Sequence, residues 1–328
     1  MKLLPILLLL ALPAMVQAQF TFTTNSNNTI TIISYTGFGG AVTIPDTTND
    51  LPITSIGDYA FQYCTNLTSV MIGTNITSIG SGAFAGCTSL PTVTIPDSVT
   101  SLEAWTFEDC TSLTNITIPD SVTNIGKSVF LGCKTLTSLT IPDSVSSIGA
   151  GVCLLCPSLA SVIIGNSVTS IGDSAFYDCS SLTNVIIGNS VTNIGNSVFE
   201  WCFSLKAIYF QCNTPAFGVN EFAFDSNLTV YYLPGTTGWE NFSHSPSLSV
   251  MLWNPQAQTG DGSFGVQNNQ FGFSIKGTKN IPIVIEACTN MGSTWIPLQT
   301  CIVTNGSIYF SDPRWTNYPT RFYRFRSP

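Results

Sequence analysis

The chain has 328 residues with 26 Gly, 18 Pro and only 9% charged side chains, too long for one average domain and too apolar for disorder, so two folded domains are expected. Thr, Ser, Ile, Val and Asn crowd out Ala, Glu, Lys and Arg, the residues that lose least entropy in a helix, which makes the protein all-β dominated. A formal charge of -8 with 10 basic residues excludes nucleic-acid recognition, because phosphate binding runs on clustered Lys and Arg.

At the N-terminus, Lys2, the apolar run Leu3 to Leu12, Pro13 and the small-x-small ending Val16-Gln17-Ala18 read as a signal peptide over residues 1–18, cut after Ala18. The run is too short for a membrane span, and no later stretch reaches about 18 uninterrupted apolar residues. The mature chain is therefore expected to be secreted or held at the cell surface. Leu233-Pro234-Gly235-Thr236-Thr237 lacks the final Gly and the hydrophobic tail of a wall-sorting signal, and reads as a turn.

Phe20 to Ile44 alternates like paired strands, with Gly37, Gly39 and Gly40 at a turn. It is placed to cap the open apolar end of a repeat array. Beyond it Cys64, Cys87, Cys110, Cys133, Cys156, Cys179 and Cys202 recur every 23 residues without a slip. Each is followed three residues on by Leu and preceded three residues back by Phe, except where Cys153 substitutes. A fixed period of about 20 to 29 residues means a solenoid whose coils bury their apolar faces only by stacking on one another.

Within a coil, Leu113-Thr-Asn-Ile116-Thr-Ile118 alternates inward apolar with outward polar, as a short strand does. Pro119-Asp120-Ser121 ends it in a turn, and Val122, Ile125 and Gly126 bring the chain back. Asn75, Ser98, Ser121, Ser144, Ser167 and Ser190 share one polar ladder position, the grammar of leucine-rich repeats. The unit Cys110 to Gly126, repeated from about Ile53 to Phe210, closely resembles the bacterial surface-antigen (BspA-like) leucine-rich repeats. The resemblance implies an exported protein that binds extracellular proteins or adheres to surfaces, and it carries over no catalytic residue. The chain departs from the pattern at Leu102-Glu103, where Ile-Gly is usual, and at Val152-Cys153, where Ala-Phe is usual.

Beyond Phe210 the period fails, yet Asn220 to Phe224 and Leu228 to Leu233 echo the coil, so Gln211 to Leu252 reads as the closing cap of a solenoid domain over 19–254. Trp253 to Gly262 reads as a linker. The segment 263–328 alternates in Phe271 to Ile275, Pro282 to Glu286, Trp295 to Val303, Ser307 to Phe310 and Phe322 to Phe325, which predicts a small antiparallel β-sandwich. Its six cations (Lys276, Lys279, Arg314, Arg321, Arg324, Arg326) face only two acids (Glu286, Asp312), against three Lys and fifteen acids in the repeats. Such asymmetry fits either an electrostatic role or a solvated face.

The chemical inventory is thin. His244 is the single histidine, and neither metal-type His spacing nor a nucleophile elbow is present. Gly260 to Gly265 matches the dinucleotide fingerprint but has no helix to aim at a pyrophosphate. Neither a catalytic residue nor a cofactor is expected. The Cys ladder reads as buried free thiols in preference to disulfides, with Cys288 and Cys301 a separate possible pair. Asp97, Asp120 and Asp143 fall at one turn position, where turn capping competes with a calcium column.

The outward strand position reads Met71, Thr94, Thr117, Thr140, Ile163, Ile186 and Tyr209, a stripe apolar at both ends and hydroxylated in the middle. It is the candidate binding face, for an extracellular protein or glycan; the competing reading is β-branched residues chosen for strand fit. Among other classes, a carbohydrate-active solenoid enzyme or carbohydrate-binding solenoid is the alternative. Lys127, Lys134 and Lys206 sit at three different points of the period and do not gather into a site. Ice binding through Thr92/Thr94 to Thr140 is interrupted at Ile163 and Ile186. Oligomeric state is not encoded in any of these patterns.

Overall fold

A computed structural model describes residues 19–223, 228–242, 248–277, 282–290, 294–304 and 306–326. The expected signal peptide, His244, Phe224 and Lys279 lie outside the described residues.

The cap begins with Phe20–Thr24, antiparallel to Ile30–Tyr35. The two strands turn at Asn25 to Thr29, not at the glycines; Gly37 to Gly40 instead carry the chain across to a different sheet. From Ile30–Tyr35 a continuous parallel sheet runs through Leu51–Ile56 and the two-residue strands Ser78–Ile79, Ser101–Leu102, Asn124–Ile125, Ser147–Ile148, Ser170–Ile171, Asn193–Ile194 and Ala216–Phe217. The repeat pattern predicts one strand per coil; this second sheet, at the point where Ile125 and Gly126 bring the chain back, is an addition.

The expected strands form the opposite wall. Gly40–Thr43 pairs with Leu67–Met71, Thr92–Thr94 with Asn115–Thr117, and then Ser138–Ile141, Ser161–Ile164, Asn184–Ile187, Ala207–Phe210, Thr229–Tyr232 and Ser249–Leu252 follow in one parallel sheet. Registers advance by one repeat per coil, Thr140 opposite Ile163 and Ile163 opposite Ile186. The two walls enclose a continuous core in which Cys110, Leu113, Ile116, Ile118, Val122, Ile125, Val129 and Phe130 of one period are all buried. The third side of each coil is a turn with two left-handed residues, for example Trp105 (φ 59°) and Asp109 (φ 52°). Gly82, Gly86, Gly132 and Gly151 take these positions in other coils, where the conformation costs a side chain nothing.

The C-terminal module is the expected antiparallel sandwich. One sheet holds Gln256–Gln258, Gln270–Lys276, Gly265–Gln267 and Ser307–Asp312; the other holds Ile296–Ile302, Pro282–Cys288 and Phe322–Arg326. Phe273, Ile275, Ile283, Ile285, Cys301, Val303 and Phe310 are buried between them. Gln256–Gln258 lies inside the stretch read as a linker yet pairs with Ser274 to Lys276, so the sheet takes in part of that stretch.

Three of the module's six cations form internal ion pairs. Arg324 and Arg326 hold buried Glu286 at 2.7 and 2.6 Å, and Arg321 holds buried Asp312 at 2.7 Å. These three arginines neutralise two buried carboxylates, which gives them a structural role inside the module.

Candidate functional site: the outward strand stripe

Alternation points one residue of each strand to the core and the next to solvent, and parallel stacking lines up the solvent residues coil by coil. Met71 is 66% exposed, Thr94, Thr117 and Thr140 are exposed, and Ile163 is 40% exposed. Beside them runs a second exposed or half-buried column, Ser69, Thr92, Asn115, Ser138 and Ser161. The two columns carry no charge, and hydroxyl and amide groups dominate their middle.

The stripe does not continue to its expected end. Ile186 and Tyr209 are buried, at 6% and 4% exposure, in a cluster with Trp253, against which Tyr231, Leu233 and Phe325 also lie. Tyr209 stacks on Tyr231 with ring centroids 5.0 Å apart, and the Trp253 backbone N–H donates to the Tyr232 carbonyl at 2.8 Å. Burial pushes the Tyr209 phenol up, with Tyr231 adding to it. The physical reason is the chain's path: after Ser249–Leu252 the strand face would end in bare aromatics, and Trp253 with Phe325 of the sandwich covers them. Tyr209, Tyr231 and Trp253 signal this only faintly, as aromatics gathering where the outward position had been hydroxylated.

The other candidate residues have structural roles. Six ladder thiols donate to a carbonyl of the preceding coil, as Cys110 Sγ does to Phe84 O at 3.2 Å and Cys202 Sγ to Phe176 O at 3.2 Å. All eleven cysteines are thiols outside any disulfide, Cys288 and Cys301 included. Ser98, Ser121 and Ser144 hydroxyls donate to the carbonyls of Ile76, Val99 and Val122. In the Asp column, Asp143 Oδ1 accepts from the Asn166 N–H at 2.6 Å, and Asn166 in turn accepts from Asn189. This is turn capping passed from coil to coil, and no group of three or more His, Cys, Asp or Glu able to hold a metal occurs among the described residues. In the dinucleotide-like stretch, Asp261 accepts from the Ser263 hydroxyl and N–H in an exposed turn, which holds its carboxyl below the usual range. Lys127 Nζ sits 4.3 Å from the Trp105 ring centroid, a cation–π contact on the solenoid's turn side.

A two-walled parallel coil with a Cys/Leu/Phe interior and an aligned outward stripe defines a leucine-rich-repeat solenoid. The chain belongs to the BspA-type leucine rich repeat family, whose repeat region, in six copies, matches residues 54–179 and 148–267. It is similar to a leucine-rich cell surface protein from Faecalibacterium prausnitzii, at 33% identity over 71% of this chain and 74% of that one, with a TM-score of 0.56. It is also similar to the leucine-rich repeat protein TpLRR of T. pallidum, at 32% identity over 57% of this chain and 88% of that one, with a TM-score of 0.54. A comparison with curated proteins found no match. Among the described residues no helix is long and apolar enough to cross a membrane.

Proposed function

We propose that the protein is an exported, non-enzymatic interaction or adhesion module that engages an extracellular protein through the open part of its strand face, from Met71 to Ile163. One observation carries this reading: five successive coils leave the same outward position uncovered, while the chain's own Trp253 and Phe325 cover Ile186 and Tyr209 in the next two. Inward positions are fixed by packing, so outward ones alone are free to serve a partner. Membership of a family with cell-surface relatives agrees with it. The rims of the open stretch, Met71 and Ile163, offer apolar anchors, and the hydroxyl and amide columns between them offer hydrogen bonds without charge.

The test is surface binding to a panel of extracellular matrix and host-surface proteins, with the double variant Met71→Lys/Ile163→Lys as comparison. Both side chains are exposed, so the melting curve should not move. Affinity should drop at least about tenfold, or about 1.4 kcal/mol, through lost apolar contact and a new desolvation cost. Undiminished affinity would remove the strand face from the account.

A further inference from the structure

A cleft of about 340 Å³ lies at the other end of the molecule, between the N-terminal cap and the first coil, lined by the segments 35–39 and 62–66. We propose that this cleft is a binding site for a neutral sugar, one or two pyranose rings of an oligosaccharide, independent of the strand face.

The cleft is built, not incidental. The loop Gly37-Phe38-Gly39 leaves Ile30–Tyr35 and is pressed onto the first coil, with the Gly40 N–H donating to the Asn66 carbonyl at 2.7 Å. Gly39 has φ +87°, and a Cβ there would lie 2.5 Å from the Asn66 carbonyl carbon, so only glycine allows this approach. The loop thereby holds Phe38 out in water, 96% exposed. Across the mouth Tyr63 is 71% exposed and sits in the left-handed region at φ 57°. The Tyr63 ring lies against Gly86, where a Cβ would come within 2.5 Å of Cδ1, so one ring face rests on the next coil and leaves the other free. Neither ring contributes to the core; the left-handed turn at Tyr63 is the one every coil makes, and it is the two large exposed rings flanking one cleft that offer a ligand faces to stack on.

The lining decides the ligand's chemistry. Thr36, Gln62, Thr65 and Asn66 offer hydroxyls and amides, each both donor and acceptor, and no Lys, Arg, Asp, Glu or His lines the cleft. Phosphates, uronates and amines would find no counter-charge. A wholly apolar ligand would find no Leu, Ile, Val or Met wall. A pyranose matches what is present: its axial C–H face stacks on an aromatic ring and its hydroxyls pair with amides.

Isothermal titration of the full mature chain with maltotriose, cellotriose and chitotriose, with trigalacturonate as the charged control, tests this. At least one neutral trisaccharide should bind with an affinity unchanged between low and high salt, because no ion pair contributes. Phe38→Ala should weaken that binding at least tenfold while leaving the melting temperature in place, since the side chain is almost fully exposed. The bound sugar should also slow alkylation of Cys64, the half-buried thiol on the cleft wall. The proposal fails if no neutral trisaccharide binds, if trigalacturonate binds comparably, or if Cys64 stays equally reactive. It also fails if binding survives Phe38→Ala but is lost in Trp201→Ala, which would move the site to the aromatic ridge of half-buried Tyr177 and exposed Trp201 and Phe203.

Discussion

At the scale of single residues the ladder cysteine is chosen for a donor that is small and nearly apolar. Its thiol fills the corner under each turn and gives its hydrogen to the preceding coil's carbonyl, as Cys133 does to Phe107 O at 3.2 Å. Cys64 stands on the first coil, with the cap in place of a preceding repeat, and is only half-buried, which is why the first rung differs from the rest. Burial pushes the Cys110 thiol up to about 12, and those of Cys87, Cys133, Cys153 and Cys179 likewise upward. An unfolded thiol ionises near pH 8.5, whereas the folded one does not, so the unfolded state holds fewer protons between the two values and gains stability there. Stability is therefore complete below about pH 8.5 and falls as pH rises toward 12, by about 1.4 kcal/mol per pH unit for each such thiol. Denaturant unfolding between pH 8 and 11 should show a shallower loss, by about that slope, in Cys110→Ala than in the parent. Parallel pH curves would show that the buried thiols do not control alkaline stability.

Stacked rings supply the corresponding spine at the scale of the element. Tyr35, Phe61, Phe84, Phe107 and Phe130 stack at centroid spacings of 5.1, 5.0, 5.6 and 5.9 Å, and Phe176, Phe199 and Phe222 resume at 5.7 and 6.1 Å. Cys153 interrupts the spine between them, fully buried in the ring's place. Phe107 has a ring on both sides, so Phe107→Ala should cost about 3 to 5 kcal/mol in equilibrium unfolding, transfer and cavity terms together. A loss under about 1 kcal/mol would mean that neighbouring coils collapse into the gap and that the spine is dispensable.

The sequence made this spine, the 23-residue step and the strand at Ile116 legible, because one constraint acts on every coil and repetition averages out local ambiguity. The second wall was not legible. Asn124–Ile125 and its counterparts are two residues long, too short for alternation to register, and their pairing partner is the same two residues one coil away. Likewise Gln256–Gln258 carries no apolar alternation, and its strand state comes from Ser274 to Lys276 across the sheet.

For the whole molecule the decisive contacts are those that close the ends. A solenoid exposes its core at each terminus, and the cap strands Phe20–Thr24 and Ile30–Tyr35 cover one end with Phe20 and Tyr35 packed on Phe61. At the other end Trp253 and Phe325 cover Ile186 and Tyr209, which shortens the available strand face to the five coils from Met71 to Ile163. No periodic pattern could forecast this, because the covering residues lie outside the repeats and reach the stripe only through the fold. Arg324 and Arg326, which the charge balance alone would offer as contacts, are tied to buried Glu286.

The most direct measurement of the central claim is hydroxyl-radical footprinting of the protein alone and bound to a partner recovered from the surface-binding panel. Met71, exposed and readily oxidised, should be protected together with the strands Thr92–Thr94, Asn115–Thr117, Ser138–Ile141 and Ser161–Ile164, while Ile186 and Tyr209 should be unreactive in both states. Protection confined to the sandwich strands between Gln256 and Arg326, with Met71 oxidised equally in both states, would contradict it and place the contact on the C-terminal module.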